Sequence, residues 1–245
     1  RRRRLEKVPA RFQALLVPAF VSVLSHPLLD FLNTYGVRFL FPFSKRWFYG
    51  DTLFIVDPWV WIALALGVGF SRGFRRRAPS RSTVPSRIAL GAVAAYVAVM
   101  MTSSFAGRTA VRRAAAAAKL EPPSRVLVSP APAVPWRRMI LLEEPGGYRY
   151  GALRWTPRPQ IRFASAVLPV NRSDPAVLEA IRLRPFRQFL VWARFPYFEV
   201  RRQGDSERVT AGDARYPIPG GSWAAVTGVV RLNPPARSGP MSSRN

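Results

Sequence analysis

The stretch IALGAVAAYVAVMMTSSFAGRTAVRRAAAAAKLEPP, Ile88 to Pro123, carries no charge from Ile88 to Phe105, then turns basic and alanine-rich, and stops at two prolines. A bilayer core about 30 Å thick needs about 20 apolar residues as a helix, and about 17 at the least. A helix buried in a soluble core usually keeps a polar stripe, and this segment has none. The reading is therefore a membrane-spanning helix. Ser86 stands where a helix N-cap is expected, and the alanine run favours continuing the helix beyond the membrane as a stalk. Pro122-Pro123 ends it and marks a domain boundary.

Two more apolar segments lie upstream. From Phe12 to Leu32 the chain is apolar except for Gln13, Ser22, Ser25, His26 and Asp30, and from Leu53 to Phe70 only Asp57 is charged. With the segment described first, they predict three transmembrane helices, over about 12–32, 53–72 and 87–106, within a membrane region of residues 1–121. A secretory signal peptide does not explain the first of them, because no small-residue cleavage site follows and two further spans do. The start, RRRR without methionine, reads as internal to a longer polypeptide.

A net charge of +25 invites a nucleic-acid reading, but only three of the 38 basic residues are lysines, Lys7, Lys45 and Lys119. The charges cluster at the ends of the apolar segments, where membrane topology puts them. Arg1 to Arg4, Lys7 and Arg11 precede the first span, and Arg72, Arg75, Arg76, Arg77, Arg81 and Arg87 lie between the second and third. Arg38, Lys45 and Arg46, then Arg108, Arg112, Arg113 and Lys119, fall on the opposite side, so the balance is twelve against seven. The positive-inside rule then predicts a cytoplasmic N-terminus and an external C-terminal half. The expected partners are the bilayer and its anionic headgroups, which attract basic residues by about 1 kcal/mol each. Nucleic acid is not an expected partner, and no protein partner is indicated. The absence of cysteine excludes disulfides, thiolate ligands and a cysteine nucleophile.

Beyond Ser124 the pattern changes to short runs rich in β-branched and aromatic residues, separated by Pro and Gly. RVLVS, WRRMILLEE, YRYGALRW, QIRFASAVLPV, FEVRR and WAAVTGVVRL read as strands. Pro145-Gly146-Gly147 and Gly220-Gly221 are bounding signals. DPAVLEAIRL reads as a helix opened by Ser173 or Asp174 with Pro175 in its first turn. The expected fold class is an α-helical polytopic membrane region followed by a small α+β, mainly antiparallel, extramembrane domain over 122–232. A disordered tail is expected over 233–245.

The only histidine, His26, precedes Asp30 by four residues in SHPLLD, so on a helix the two share a face. A carboxylate at membrane depth costs about 2.5 to 3.5 kcal/mol, so Asp30 has to be paired, metal-bound or near the interface. The spacing fits half a divalent-metal site and equally a His–Asp hydrogen bond; zinc takes at least three protein ligands. Asp51, after Gly50 at a turn, and Asp57, a helix cap before Pro58, are further ligand candidates. The aromatics from Phe39 to Trp59 read as an interfacial belt. No GxSxG, Walker loop, HExxH or dinucleotide fingerprint occurs.

SHPLLDFLNTYGVRFLFPFSKRWFYGDTLFIVDPW, Ser25 to Trp59, resembles the signature segment of the membrane-bound metal-dependent hydrolases, a bacterial inner-membrane family that includes a LexA-regulated member. LVWARFPYFEV, from Leu190, and VTAGDARY, from Val209, are similar to that family's closing pattern. The family's earlier motif, of the type Arg-Gly-x-Thr-His-Ser on a preceding helix, and its acidic segment near the start are missing from this chain. The resemblance implies an inner-membrane, multi-pass protein and a divalent metal, zinc or manganese, held by His26 and Asp30 with Asp51 and Asp57 as additional candidates. It also implies a metal-activated water acting as nucleophile on an unknown substrate, with Asp30 as ligand or general base. The alternative is a non-catalytic integral membrane protein whose external domain binds another envelope component.

Overall fold

The computed structural model describes residues 12–216 and 224–231. The basic cluster up to Arg11, Gly220-Gly221 and the expected disordered tail lie outside the described residues. The helices are α1 (Phe12–Leu32), α2 (Pro58–Arg77), α3 (Val84–Ala117), α4 (Pro175–Ala180) and α5 (Arg184–Trp192). The strands are β1 (Arg125–Ala131), β2 (Val134–Glu144), β3 (Gly147–Arg154), β4 (Gln160–Pro169), β5 (Pro196–Gln203), β6 (Ser206–Asp213) and β7 (Ala225–Val230). One sheet has the order β1-β2-β3-β4 and the other β5-β6-β7.

The chain divides into two compact units. Of the described residues, the first gathers those up to Ala110 with Val128–Met139 and Arg154–Pro159; the second contains Val111–Leu127, Ile140–Leu153 and those from Gln160 onward. This division does not follow the single cut expected after residue 121, because the ends of the first hairpins belong with the helices.

Helix α1 and the stretch Pro79–Ala117 are long and apolar enough to cross a membrane. Only 6% and 17% of their most apolar windows are buried. A helix serving as the core of a soluble protein would show the reverse. Within the expected span over 53–72, residues 53–57 are not helical, α2 begins at Pro58, and its apolar part ends before Arg72. From Trp59 to Phe70 that part rises only about 16 Å, short of a core about 30 Å thick. Leu32, Leu53 and Met100 form a small buried cluster, joined by Phe31, Val60, Tyr96 and Val97.

The second unit has the ordinary plan of a small α+β domain. Strands β5, β6 and β7 pair antiparallel, with Phe198 opposite Ala211 and Thr210 opposite Thr227. Phe198, Val209, Ala211 and Val230 turn inward and pack with Ala176, Val177, Ala180 and Phe186 from the two short helices. Asp174 caps α4 by accepting a hydrogen bond from the Ala176 N–H at 2.8 Å, as the DPAVLEA pattern requires. Two elements escaped the sequence reading. Helix α5 has only its nine residues to show a period, and β6, SERVTAGD, owes its strand to neighbours on both sides rather than to β-branched content.

Candidate functional site

His26 and Asp30 lie on α1 with Nε2 and Oδ2 3.5 Å apart, the shared face that their spacing predicts. The imidazole is 81% exposed and the carboxylate 25%. The Tyr35 hydroxyl donates to Asp30 Oδ1 at 2.5 Å, and the Asn33 amide bonds the Leu29 carbonyl at 3.1 Å and the Tyr35 hydroxyl at 3.4 Å. The turn that returns Tyr35 to the helix is set by Gly36, whose φ of +82° falls in the left-handed region. A Cβ there would meet the Tyr49 ring at 2.3 Å. Sequence reasoning found the pair and missed Tyr35, whose role depends on this turn.

Asp51 and Asp57 go elsewhere. Asp51, 1% exposed, accepts from Arg108 Nη2 at 3.3 Å, and its carbonyl accepts from the Ser104 hydroxyl at 2.8 Å. Asp57 caps α2, with Oδ1 accepting from the N–H groups of Trp59 and Val60 at 3.0 and 3.4 Å and Oδ2 from the Tyr96 hydroxyl at 2.9 Å. The cap was legible in Asp-Pro-Trp; Tyr96 was not. Among the described residues no three His, Asp or Glu side chains come together as a metal-holding group. His26 and Asp30 alone provide two donors, where zinc takes at least three protein ligands. The described residues therefore do not fit a complete metal centre.

The same unit buries a second polar cluster around Arg138 of β2. Its guanidinium donates to the Met100 carbonyl at 2.9 Å, the Ser104 hydroxyl at 3.0 Å and the Thr52 carbonyl at 3.5 Å. Burial pushes the Arg138 pKa down to about 10, a value that still leaves the group charged at neutral pH. Arg137-Arg138 held an unread signal: alternate residues of a strand face opposite ways, so one of two adjacent arginines must turn inward. Together these contacts join the loop after α1, the middle of α3 and the start of β2 by polar bonds. Their chemistry is charge satisfaction by carbonyls, a hydroxyl and an opposite charge, incomplete at Arg138 Nε, which is buried without a hydrogen-bond partner.

No curated protein and no solved structure matches the chain. Residues 3–108 match the family model described as YdjM inner membrane protein, a stretch that takes in α1, α2 and the apolar part of α3. That description names a membrane and neither a metal nor a hydrolysis. Over its helical part, less than half of its length, the chain is similar to the YdjM inner membrane proteins, and with its exposed apolar helices it reads as a membrane-associated protein of that type.

Proposed function

We propose that the protein is a multi-pass inner-membrane protein that presents its β-rich unit outside the bilayer as a binding module for another envelope component. The observation that carries this reading is the inversion of the first unit: α1 and α3 turn their apolar residues outward while Asp51, Ser104 and Arg138 are buried. Helix α2 enters the bilayer beside α3 as the third membrane helix. It exposes Trp61, Ile62, Leu66 and Phe70, and its short apolar part is extended by arginines that reach toward the headgroups. The arginine-rich turn after α2 faces the cytoplasm and the β unit faces outward, in keeping with the positive-inside rule. The binding face is the outer side of the β5–β7 sheet. Arg201 and Arg208 stand directly opposite each other there, both exposed, beside exposed Val229. Glu199 lies 3.7 Å from Arg201 and Gln203 accepts from Arg208, which leaves the pair with one net positive charge that suits an acidic partner.

The second reading is the metal-dependent hydrolase of the sequence resemblance. What favours it is the His26–Asp30 pair, with one carboxylate oxygen held by Tyr35 and an imidazole open to a ligand. It needs at least one further protein ligand. Measuring zinc and manganese by mass spectrometry on the purified protein and on His26→Ala and Asp30→Ala separates the two readings. Metal-free protein is expected on the first; stoichiometric metal lost in both variants overturns it in favour of the hydrolase. A reporter fused after Asn245 is expected to be active only on the external side, and cytoplasmic activity reverses the orientation.

A further inference from the structure

Helices α2 and α3 touch where Gly67 faces Ala89, so closely that a Cβ on Gly67 would come 2.5 Å from the alanine methyl. One turn further on, the Ser71 and Ser86 hydroxyls share a hydrogen bond of 2.6 Å. On one side of this contact the helices part and leave an open groove of about 560 Å³, lined by Leu66, Phe70 and Phe74 of α2 and by Ile88 and Ala92 of α3. The volume falls within the range of small-molecule sites. Its α2 wall, Ala63 to Phe74, is about 16 Å long, half the thickness of a bilayer core and so the depth of one leaflet.

The end of the groove is basic. Arg81, on the 3-10 turn between the helices, is the charged residue in its lining. Arg72, Arg75, Arg76, Arg77 and Arg87, all exposed, lie around the same turn. An apolar channel one leaflet deep that opens beside a guanidinium complements one kind of molecule, an amphiphile with a hydrocarbon tail and an anionic head. We infer that the α2–α3 groove holds an acyl chain of one anionic phospholipid, with its phosphate bound by Arg81. A guanidinium meets phosphate oxygens with two parallel N–H groups, which sets this contact apart from the diffuse attraction of the neighbouring arginines. The inference rests on the membrane reading above and adds a defined lipid site to it.

Native mass spectrometry of the full chain in detergent, titrated with phosphatidylglycerol or with phosphatidylcholine of the same acyl chains, tests the site. One tightly held phosphatidylglycerol per chain is expected, bound at least about five-fold more strongly than phosphatidylcholine. Arg81→Gln reduces that preference by about five-fold, and Ala92→Phe, which fills the groove, removes both lipids. Arg113→Gln, an exposed arginine outside the groove, leaves binding unchanged. Thermal unfolding followed by circular dichroism establishes that each variant is folded; if Ala92→Phe is not, Arg81→Gln decides alone. Equal binding of the two lipids, or Arg81→Gln indistinguishable from the parent, overturns the site. So does a dimer that Ala92→Phe dissociates, which would put a second copy in the groove. A chain that stays soluble without detergent removes the membrane reading itself, whereas a membrane-held chain indifferent to headgroup removes only the lipid site.

Discussion

The two units solve opposite solvation problems. The first turns Leu15, Val21, Ile62, Leu66, Leu90 and Val99 outward and buries Asp51, Asp57, Ser104 and Arg138. In the second, Phe186, Phe195, Phe198 and Val209 are buried, and Arg182, Arg201, Arg202 and Arg208 are exposed. Burying apolar surface drives folding only against water. Where hydrocarbon is the solvent, that force vanishes between helices, and close packing of small residues with interhelical polar bonds replaces it. The Gly67–Ala89 approach and the Ser71–Ser86 bond have the form such packing takes, on the proposal that α2 enters the bilayer. The comparison teaches that one chain can follow two folding rules, and that a residue's contribution depends on which unit contains it.

The largest effect that would sharpen this contrast belongs to the second unit. Phe198→Ala, a cavity in the centre of the β5–β7 core, is expected to cost about 3 to 5 kcal/mol, read as a fall in the denaturant midpoint of the β unit. The helical unit responds most to loss of polar partners. Asp51→Ala strips Arg108 of its carboxylate and is expected to cost about 1.5 to 3 kcal/mol in thermal unfolding of the detergent-solubilised chain. Trp61→Ala, on the exposed face of α2, should by contrast leave that transition nearly unmoved. A large loss there would mean that the outward apolar surface is covered by protein, and the contrast between the units would break. Asp57→Ala and Asp174→Ala test one device, the N-cap, in each unit, and each is expected to cost about 1 kcal/mol. The loss should be greater at Asp57, which also holds Tyr96.

The smallest effect is a pH dependence confined to the second unit. Arg125 hydrogen-bonds Glu143 through Nε and Nη2 and holds its carboxyl below the usual glutamate range, aided by Ser124. A carboxyl depressed in the folded state stabilises above its unfolded pKa, and that contribution is lost as pH falls through the folded value. Acidification below about pH 4 is therefore expected to lower the midpoint of the β unit slightly. Glu143→Gln should flatten that slope; an unchanged slope would assign it to other carboxylates.

Periodicity and punctuation made much of this legible in the sequence. The apolar run from Ile88, the Asp-Pro starts of α2 and α4, and six of the strands follow from local rules that act within a few residues. The expected span over 53–72 was displaced because hydropathy cannot see that residues 53–57 stay non-helical. There the backbone N–H groups of Thr52 and Leu53 bond the Leu32 carbonyl at the end of α1 instead. Strand β6 went unread because its conformation comes from pairing on both edges.

By itself the sequence determined that this chain contains helices suited to a bilayer and a β-rich unit suited to water, because composition and period express solvent preference residue by residue. It also placed His26 beside Asp30, since helix geometry relates positions four apart without help from the rest of the fold. Only the tertiary structure decided what the remaining charges do. Asp51 met Arg108, Asp57 met Tyr96, and Arg138 met Ser104 and the Met100 carbonyl, across separations of 34 to 57 residues. A charge in a low-dielectric interior is stable only where distant segments bring it a partner, and no local pattern records which partner that is.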